Sequence, residues 1–143
     1  MSACLLGTPC THDAGHNRSE PVVALAGRYH LVPVCPEVAG GLPTPRPAAE
    51  IQPDGRVVTE DDADLTAAYE RGAAHAVALA VRAGASAAVL KARSPSCGGK
   101  EVYDGTFSRT RRPGAGVTAQ RLAAAGLVVV DEDEVGAGRL PAG

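Results

Sequence analysis

The chain has 143 residues, the size of one compact domain, and its 14 basic and 16 acidic residues nearly balance. This balance argues against a nucleic-acid-binding surface, which needs a basic face. The N-terminal segment MSACLLGTPC lacks the features of a signal peptide, and no apolar stretch approaches the roughly 20 residues of a membrane span, so we expect a cytoplasmic protein. Cytoplasmic thiols stay reduced, and the four cysteines therefore indicate metal binding or catalysis before disulfides.

Helical and extended patterns alternate along the chain. In chain order they predict a helix over residues 21–26, a strand over 30–34, a small hairpin at 57–58, a helix over 61–83, a strand over 87–90, a helix over 117–125 and a strand over 127–130. The longest helix has a capping signature at Thr59 and Asp62 and a glycine stop at Gly84. The alternation predicts an α/β fold, a Rossmann-like sandwich with a mainly parallel sheet and helices on both faces.

The sequence predicts one domain over residues 1–134. Residues 135–143 are rich in Gly, Ala and Pro, so we expect them to form a flexible tail. A monomer and a homodimer are both compatible with this organisation.

Three long loops rich in Gly and Pro each contain a cysteine: residues 2–15, 35–47 and 93–105. Because ligands bind outside the carboxyl ends of the strands in an open parallel sheet, we expect Cys4, Cys35 and Cys97 to share one rim. Only three residues precede Cys4, so the strand that should lead into it is short. The spacing matches no zinc ribbon or redox dithiol, and isolated buried thiols that act as small hydrophobic side chains remain the alternative.

Five segments of the chain carry a resemblance to a known family. They are SACLLG at 2–7, VCPEVAGGLPTPRPAAEI at 34–51, LKARSPSCG at 90–98, YDGTFS at 103–108 and GVTA at 116–119. Together, and in this order, they resemble the thiouracil desulfurase family. The resemblance implies a 4Fe-4S cluster bound by Cys4, Cys35 and Cys97, with the fourth iron open to the sulfur of a thiolated base.

Two details qualify the resemblance. Cys10 is interpreted as a bystander near the site. Residues 11–15, Thr-His-Asp-Ala-Gly, stand where relatives usually have Arg-Tyr-Asp-Gly, which places the substrate contacts of this loop in question.

The resemblance implies hydrolysis of a small thiolated nucleobase or nucleoside, with release of sulfide. An open iron would act as a Lewis acid on the soft sulfur, without a change of redox state. Glu37 is the expected base, because partial burial would raise the pKa of its carboxyl group toward neutrality, although a solvated loop acid is the alternative. Ser94 is the second expected catalytic residue, since a hydroxyl beside Cys97 could relay a proton.

Further polar residues are candidates for substrate binding. Ser96 flanks Cys97, and Arg46 either contacts substrate or pairs with Glu50. A polar cluster after the first loop and one lysine at a strand end complete the expected rim: His12, Asp13, His16 and Lys91.

Two other functions compete with desulfuration. A sulfur-transfer enzyme would use the same cluster, although the lack of an ATP-binding glycine-rich loop with a lysine argues against tRNA thiolation. A zinc or redox-sensing module would use the cysteines without catalysis, and zinc would require a fourth ligand such as Cys10 or His16.

Overall fold

Short strands, one long helix and several shorter helices make up the fold. The computed structural model describes residues 1–139. Its helices are α1 (Glu20–Val23), α2 (Pro36–Ala39), α3 (Thr66–Ala83), α4 (Val117–Ala124) and α5 (Glu132–Gly136), and its strands are β1 (Ala49–Ile51), β2 (Val57–Thr59), β3 (Ala87–Leu90), β4 (Glu101–Tyr103), β5 (Arg111–Pro113) and β6 (Val128–Asp131). Among the described residues, no helix combines the length and the apolar character that crossing a membrane requires.

The strands form three two-stranded sheets. Strands β1 and β2 pair antiparallel, as do β4 and β5, whereas β3 and β6 pair parallel with Ala87 opposite Val128. The chain is therefore a single mixed α/β domain, and the predicted mainly parallel sheet is not confirmed. The reason is the short connections after β1 and β4, because antiparallel strands accept a tight turn and parallel strands need a long crossover.

The first three residues run between β3 and the segment before Cys35. The backbone N–H of Ser2 donates to Val89 O at 3.0 Å, and that of Ala3 donates to Val34 O at 2.9 Å. Beyond a single bridge from Val34 to Ser2, the strand predicted over 30–34 does not form. Pairing is limited to residues 32–34, where the Met1 amino group donates to Val32 O at 2.7 Å and Val34 N donates to Met1 O at 2.9 Å, because the N-terminal segment turns into a 3-10 helix at Ala3–Leu6. Cys4 and Cys35 thus leave the same edge of this layer.

The predicted elements elsewhere agree with the structure except at two helices. The hairpin at 57–58 is confirmed as β1 and β2, and the segments at 87–90, 117–125 and 127–130 form β3, α4 and β6. The helix predicted over 21–26 divides into α1 and a turn of 3-10 helix at Ala24–Gly27.

The long helix α3 begins at Thr66 rather than at residue 61. The predicted cap was wrong because Thr59 Oγ1 accepts a hydrogen bond from Ala63 N at 3.0 Å and closes a turn instead. Asp62 within that turn has a left-handed φ of 66°, which no helix accommodates. Asp64 then accepts from the backbone N–H of Thr66 at 2.9 Å, where the helix starts.

The alternating side chains of β3 join two apolar clusters. Val89 packs with Leu5, Val22 and Val135, while Leu90 on the opposite face packs with Leu122 and its neighbours. Val135, the first residue of the predicted tail, is therefore buried, and α5 ends at Gly136. Residues 140–143 of that tail lie outside the described part of the chain.

Helices α2 and α3 touch backbone to backbone through two glycines. A Cβ atom added at Gly72 would lie 1.9 Å from Pro36 O, and one added at Gly40 would lie 2.0 Å from Ala68 O. Only glycine permits this approach, because atoms of the main chain cannot move aside as a flexible side chain does. The contact places α2, which carries Glu37, directly beside Tyr69 of α3.

We expect Gly72→Ala to destabilise the protein. Overpacking costs about 1–3 kcal/mol where side chains can adjust, and here the obstacle is backbone, so the loss outweighs the roughly 1 kcal/mol that alanine adds as a helix former. The free energy of unfolding in urea measures the effect. Gly27→Ala is the matched control, because its added methyl group meets no atom within 4 Å. A Gly72→Ala variant as stable as the Gly27→Ala variant would contradict the contact.

Candidate functional site

A cavity of about 490 Å³ opens where the loops after residue 3, residue 34 and β3 meet. Its lining includes all four cysteines and every polar residue predicted for the site: Cys4, Cys10, Cys35, Cys97, Glu37, Ser94, Ser96, His12, Asp13, His16, Arg46 and Lys91. The sequence-based expectation of one shared rim therefore agrees with the placement of these residues. Their roles stay predictions.

The three predicted ligand thiols come from three different segments. Cys4 follows the N-terminal extended residues, Cys35 immediately precedes α2, and Cys97 lies in the loop after β3. All are free, with Cys4 and Cys97 buried and Cys35 half-buried. In residues 1–139, no three His, Cys, Asp or Glu side chains gather closely enough to hold one metal ion. The thiols are thus distributed around the cavity.

Two polar side chains partly oppose the rise in pKa that burial causes in these cysteines. Burial raises the pKa of Cys97 to about 12, and a hydrogen bond with the Ser2 side chain opposes that rise. Burial likewise raises the pKa of Cys4, opposed by a hydrogen bond with the side chain of Asn17. The Ser2 hydroxyl is held in place because it accepts from the backbone N–H of Lys91 at 2.9 Å. Ser2 and Asn17 therefore favour the deprotonated state that a metal requires.

The fourth thiol, Cys10, lies close to Cys35. The Cys35 thiol donates to the backbone carbonyl of Cys10 at 3.7 Å, and the Cys10 side chain is buried. Burial and the neighbouring Cys35 raise the pKa of Cys10 to about 12. The proximity makes Cys10 part of the cavity wall, while its interpretation as a bystander stays a prediction.

Both oxygens of the Glu37 carboxylate are held by buried partners. The Tyr69 hydroxyl donates to Oε1, and the guanidinium of Arg46 donates to Oε2. The side chain of Glu37 is only 16% exposed and that of Arg46 only 2%. Burial, together with the charge of Glu37, raises the pKa of Tyr69, so this phenol remains a hydrogen-bond donor. The carboxylate is therefore fixed in position and its charge is compensated.

Arg46 pairs with a different carboxylate from the one considered in the sequence, while its predicted substrate contact stays a prediction. Its guanidinium also donates to Cys10 O at 2.8 Å and Pro43 O at 3.1 Å, and only its Nε atom has no partner. The alternative pairing with Glu50 is wrong, because Glu50 instead accepts from the backbone N–H groups of Gly105 and Phe107. The guanidinium of Arg46, paired with Glu37, thus connects the segments that form this wall of the cavity.

The two serines beside Cys97 have different surroundings. Ser94 Oγ accepts from the backbone N–H groups of Ser96 and Cys97, at 3.1 and 3.0 Å, which leaves its own O–H free to donate. Ser96 is 1% exposed, and its hydroxyl is hydrogen-bonded to that of Thr118 at 2.8 Å. Ser96 thus anchors α4, and its predicted substrate contact stays a prediction.

The polar cluster at the rim is exposed and shapes its own loop. Asp13 accepts from the backbone N–H of Gly15 at 3.1 Å, and His16 Nδ1 accepts from that of Arg18 at 3.1 Å. Lys91 is paired at 3.3 Å with Glu132. These residues border the cavity, and their substrate contacts stay predictions.

Comparison with known proteins agrees with this site. The sequence model for 2-thiouracil desulfurase matches residues 1–134. The chain belongs to the 2-thiouracil desulfurase family. An uncharacterized protein of Bacillus subtilis (strain 168), YbbK, is 40% identical over 144 positions, covering 94% of this chain and 95% of that protein. The solved structure of the 4Fe-4S-dependent thiouracil desulfidase TudS matches with a TM-score of 0.89 and 43% identity, covering 95% of this chain and 91% of the other.

The family resemblance inferred from the five sequence segments is thus confirmed. In this member of the desulfurase family, Ser2, Asn17 and Tyr69 were not predicted from the sequence as part of the site. Tyr69 carried a signal, as the single aromatic residue on the buried stripe of α3, and Ser2 lies within the first family segment. No sequence signal indicated Asn17, because an irregular loop without periodicity separates it from its partner Cys4.

We expect Arg46→Lys to destabilise the protein on the order of 3 kcal/mol, because a single ammonium cannot reach Glu37, Cys10 O and Pro43 O together. Urea unfolding measures the effect. The matched control is Arg56→Lys, which alters an exposed pair with Asp54 at 2.8 Å and should leave the unfolding midpoint unchanged. Equal midpoints for the two variants would show that the hydrogen bonds from the guanidinium to Cys10 O and Pro43 O contribute nothing.

Proposed function

We propose that this chain is a 4Fe-4S-dependent desulfurase that removes sulfur from a thiolated pyrimidine such as thiouracil. The observation that carries the proposal is that the three predicted ligand thiols and the fixed carboxylate of Glu37 line the same cavity. Membership of the 2-thiouracil desulfurase family and the similarity to TudS support it. A free base and a nucleoside are both within the proposed substrate class.

The donor set fits the proposed cofactor. Thiolates are soft ligands suited to iron-sulfur clusters, and Cys4, Cys35 and Cys97 would supply three of them. The three thiols come from different segments and line one cavity, so they would hold a cluster larger than a single metal ion. When bound, the cluster would supply an open iron that accepts the thiocarbonyl sulfur as a Lewis acid.

Glu37 is the proposed base of the reaction. A carboxylate offers about four lone-pair positions, of which Tyr69 and Arg46 occupy one on each oxygen, so positions remain for a water molecule. Glu37 would take a proton from this water as the oxygen attacks the carbon that carries sulfur. The C–S bond breaks and a C–O bond forms. Both water protons finally leave with the sulfur as hydrogen sulfide, so no electrons are transferred.

Ser94 is the proposed proton donor. Its oxygen is fixed by the two backbone N–H groups, which directs its O–H away from them. This hydroxyl would donate a hydrogen bond to the substrate ring, or relay a proton to the departing sulfur and recover the one that Glu37 took from the water, so that Ser94 is a hydroxyl again at the end. The same two hydrogen bonds fix the backbone of Cys97, so Ser94 also supports the ligand position.

The proposed function predicts sulfide release by the anaerobically reconstituted protein. With 2-thiouracil and no sulfur acceptor, we expect equal amounts of sulfide and uracil, measured by a colorimetric sulfide assay and by chromatography. Cys35→Ser should lose both iron and activity, whereas Cys10→Ser, which alters another thiol of the same cavity, should retain both. Sulfide that appears only when an acceptor is added would indicate sulfur transfer. One equivalent of zinc and no iron would overturn the cluster.

Glu37→Gln tests the base separately from the cofactor. The amide keeps the size of the side chain but cannot take the proton, so we expect a loss of about 10²–10⁴ in kcat with unchanged iron content. Glu60→Gln is the matched control, since Glu60 also borders the cavity and is exposed. A Glu37→Gln variant as active as the Glu60→Gln variant would remove Glu37 from the mechanism.

A further inference from the structure

The loop between β4 and β5 borders the cavity and carries the single phenylalanine of the chain. Phe107 is half-buried, and Tyr103 and Arg109 line the cavity beside it. The core of the described residues consists of three apolar clusters, and Phe107 belongs to none of them. A large apolar ring that the core does not use thus stands at the edge of the candidate site.

The backbone holds Phe107 in a conformation that bulky residues rarely adopt. Its φ is 56°, in the left-handed region. Glu50 maintains this conformation because its Oε1 accepts from Phe107 N at 3.2 Å and from Gly105 N at 3.0 Å. Gln52 adds a third bond, donating to Gly105 O at 3.0 Å.

The anchors of this loop belong to the β1 hairpin and its first turn residue, so the position of Phe107 is tied to the hairpin. Backbone strain of this kind persists only where the surroundings impose it, and it concentrates at ligand clamps. The neighbouring Arg109 also has a left-handed φ, of 60°. The loop is therefore held in one shape that brings a flat apolar surface to the cavity.

We propose that Phe107 is the stacking face for the substrate's ring, and that it makes the site select planar, unsaturated pyrimidines. The proposal rests on the proposed function and specifies its substrate class. Stacking of a base on an aromatic side chain contributes about 5- to 140-fold in affinity, corresponding to about 1–3 kcal/mol. The polar groups of the cavity would hydrogen-bond to the edge of the ring, whereas Phe107 would stack on its face.

The test compares two ligands with the same polar edge. Uracil is planar, while 5,6-dihydrouracil has the same N–H and C=O groups on a puckered, partly saturated ring. Dissociation constants are measured by equilibrium dialysis with the reconstituted wild type and with Phe107→Leu and Phe107→Tyr. Leucine keeps the apolar bulk and the same backbone strain but has no aromatic face. Iron content and kcat with 2-thiouracil are measured in parallel.

We expect the wild type and Phe107→Tyr to prefer uracil, and Phe107→Leu to lose that preference within threefold while its iron content stays unchanged. Ser108→Ala, an exposed neighbour in the loop, should behave as the wild type. An unchanged preference in Phe107→Leu, no preference in the wild type, or a loss of iron in Phe107→Leu would overturn the stacking role. A wild type that binds neither ligand and releases no sulfide would instead refute the proposed function itself.

Discussion

The guanidinium of Arg46 joins the segments that form one wall of the cavity. Its hydrogen bonds reach the loop that carries Cys10, the turn at Pro43 and the carboxylate of Glu37 on α2. Through Glu37 the connection continues to Tyr69 on α3. A buried charge is tolerated only when it is paired and hydrogen-bonded, so these segments must assemble together for any of them to be stable in place. The position of the candidate base depends on this arrangement.

The backbone contact between Gly40 and Gly72 provides the space for that arrangement. It brings α2 against α3 at a distance that no side chain would allow, and the Glu37–Tyr69 hydrogen bond lies beside it. On the opposite side of the cavity, Ser2 connects the N-terminal segment to the loop after β3, through Lys91 N and the Cys97 thiol. The cavity therefore lies between the segments around Glu37, which also carry Cys10 and Cys35, and the segments around Ser2, which carry Cys4 and Cys97.

The sequence predicted what depends on periodicity and on short motifs. Strand β3 and helix α4 follow from apolar runs with clear stops, and the family followed from five segments in order. The rim of cysteines was predictable because loops that leave strands share an edge. The start of α3 was not predictable from the sequence, because the Thr59 side chain can either cap a helix or close a turn. Only its contact with Ala63 shows that it closes a turn. The partner of Arg46 was not predictable either, because a loop without periodicity does not indicate which carboxylate the Arg46 guanidinium pairs with.

The three cysteines proposed as ligands come from parts of the chain that are far apart in sequence. Cys4 belongs to the first turn after the N-terminal extended residues, whereas Cys97 follows β3, most of the way along the chain. No partial chain shorter than that contains the complete set. Whatever group these thiols hold can therefore be inserted only after the segment beyond β3 has been synthesised, and once bound it would join distant segments in the manner of a covalent cross-link.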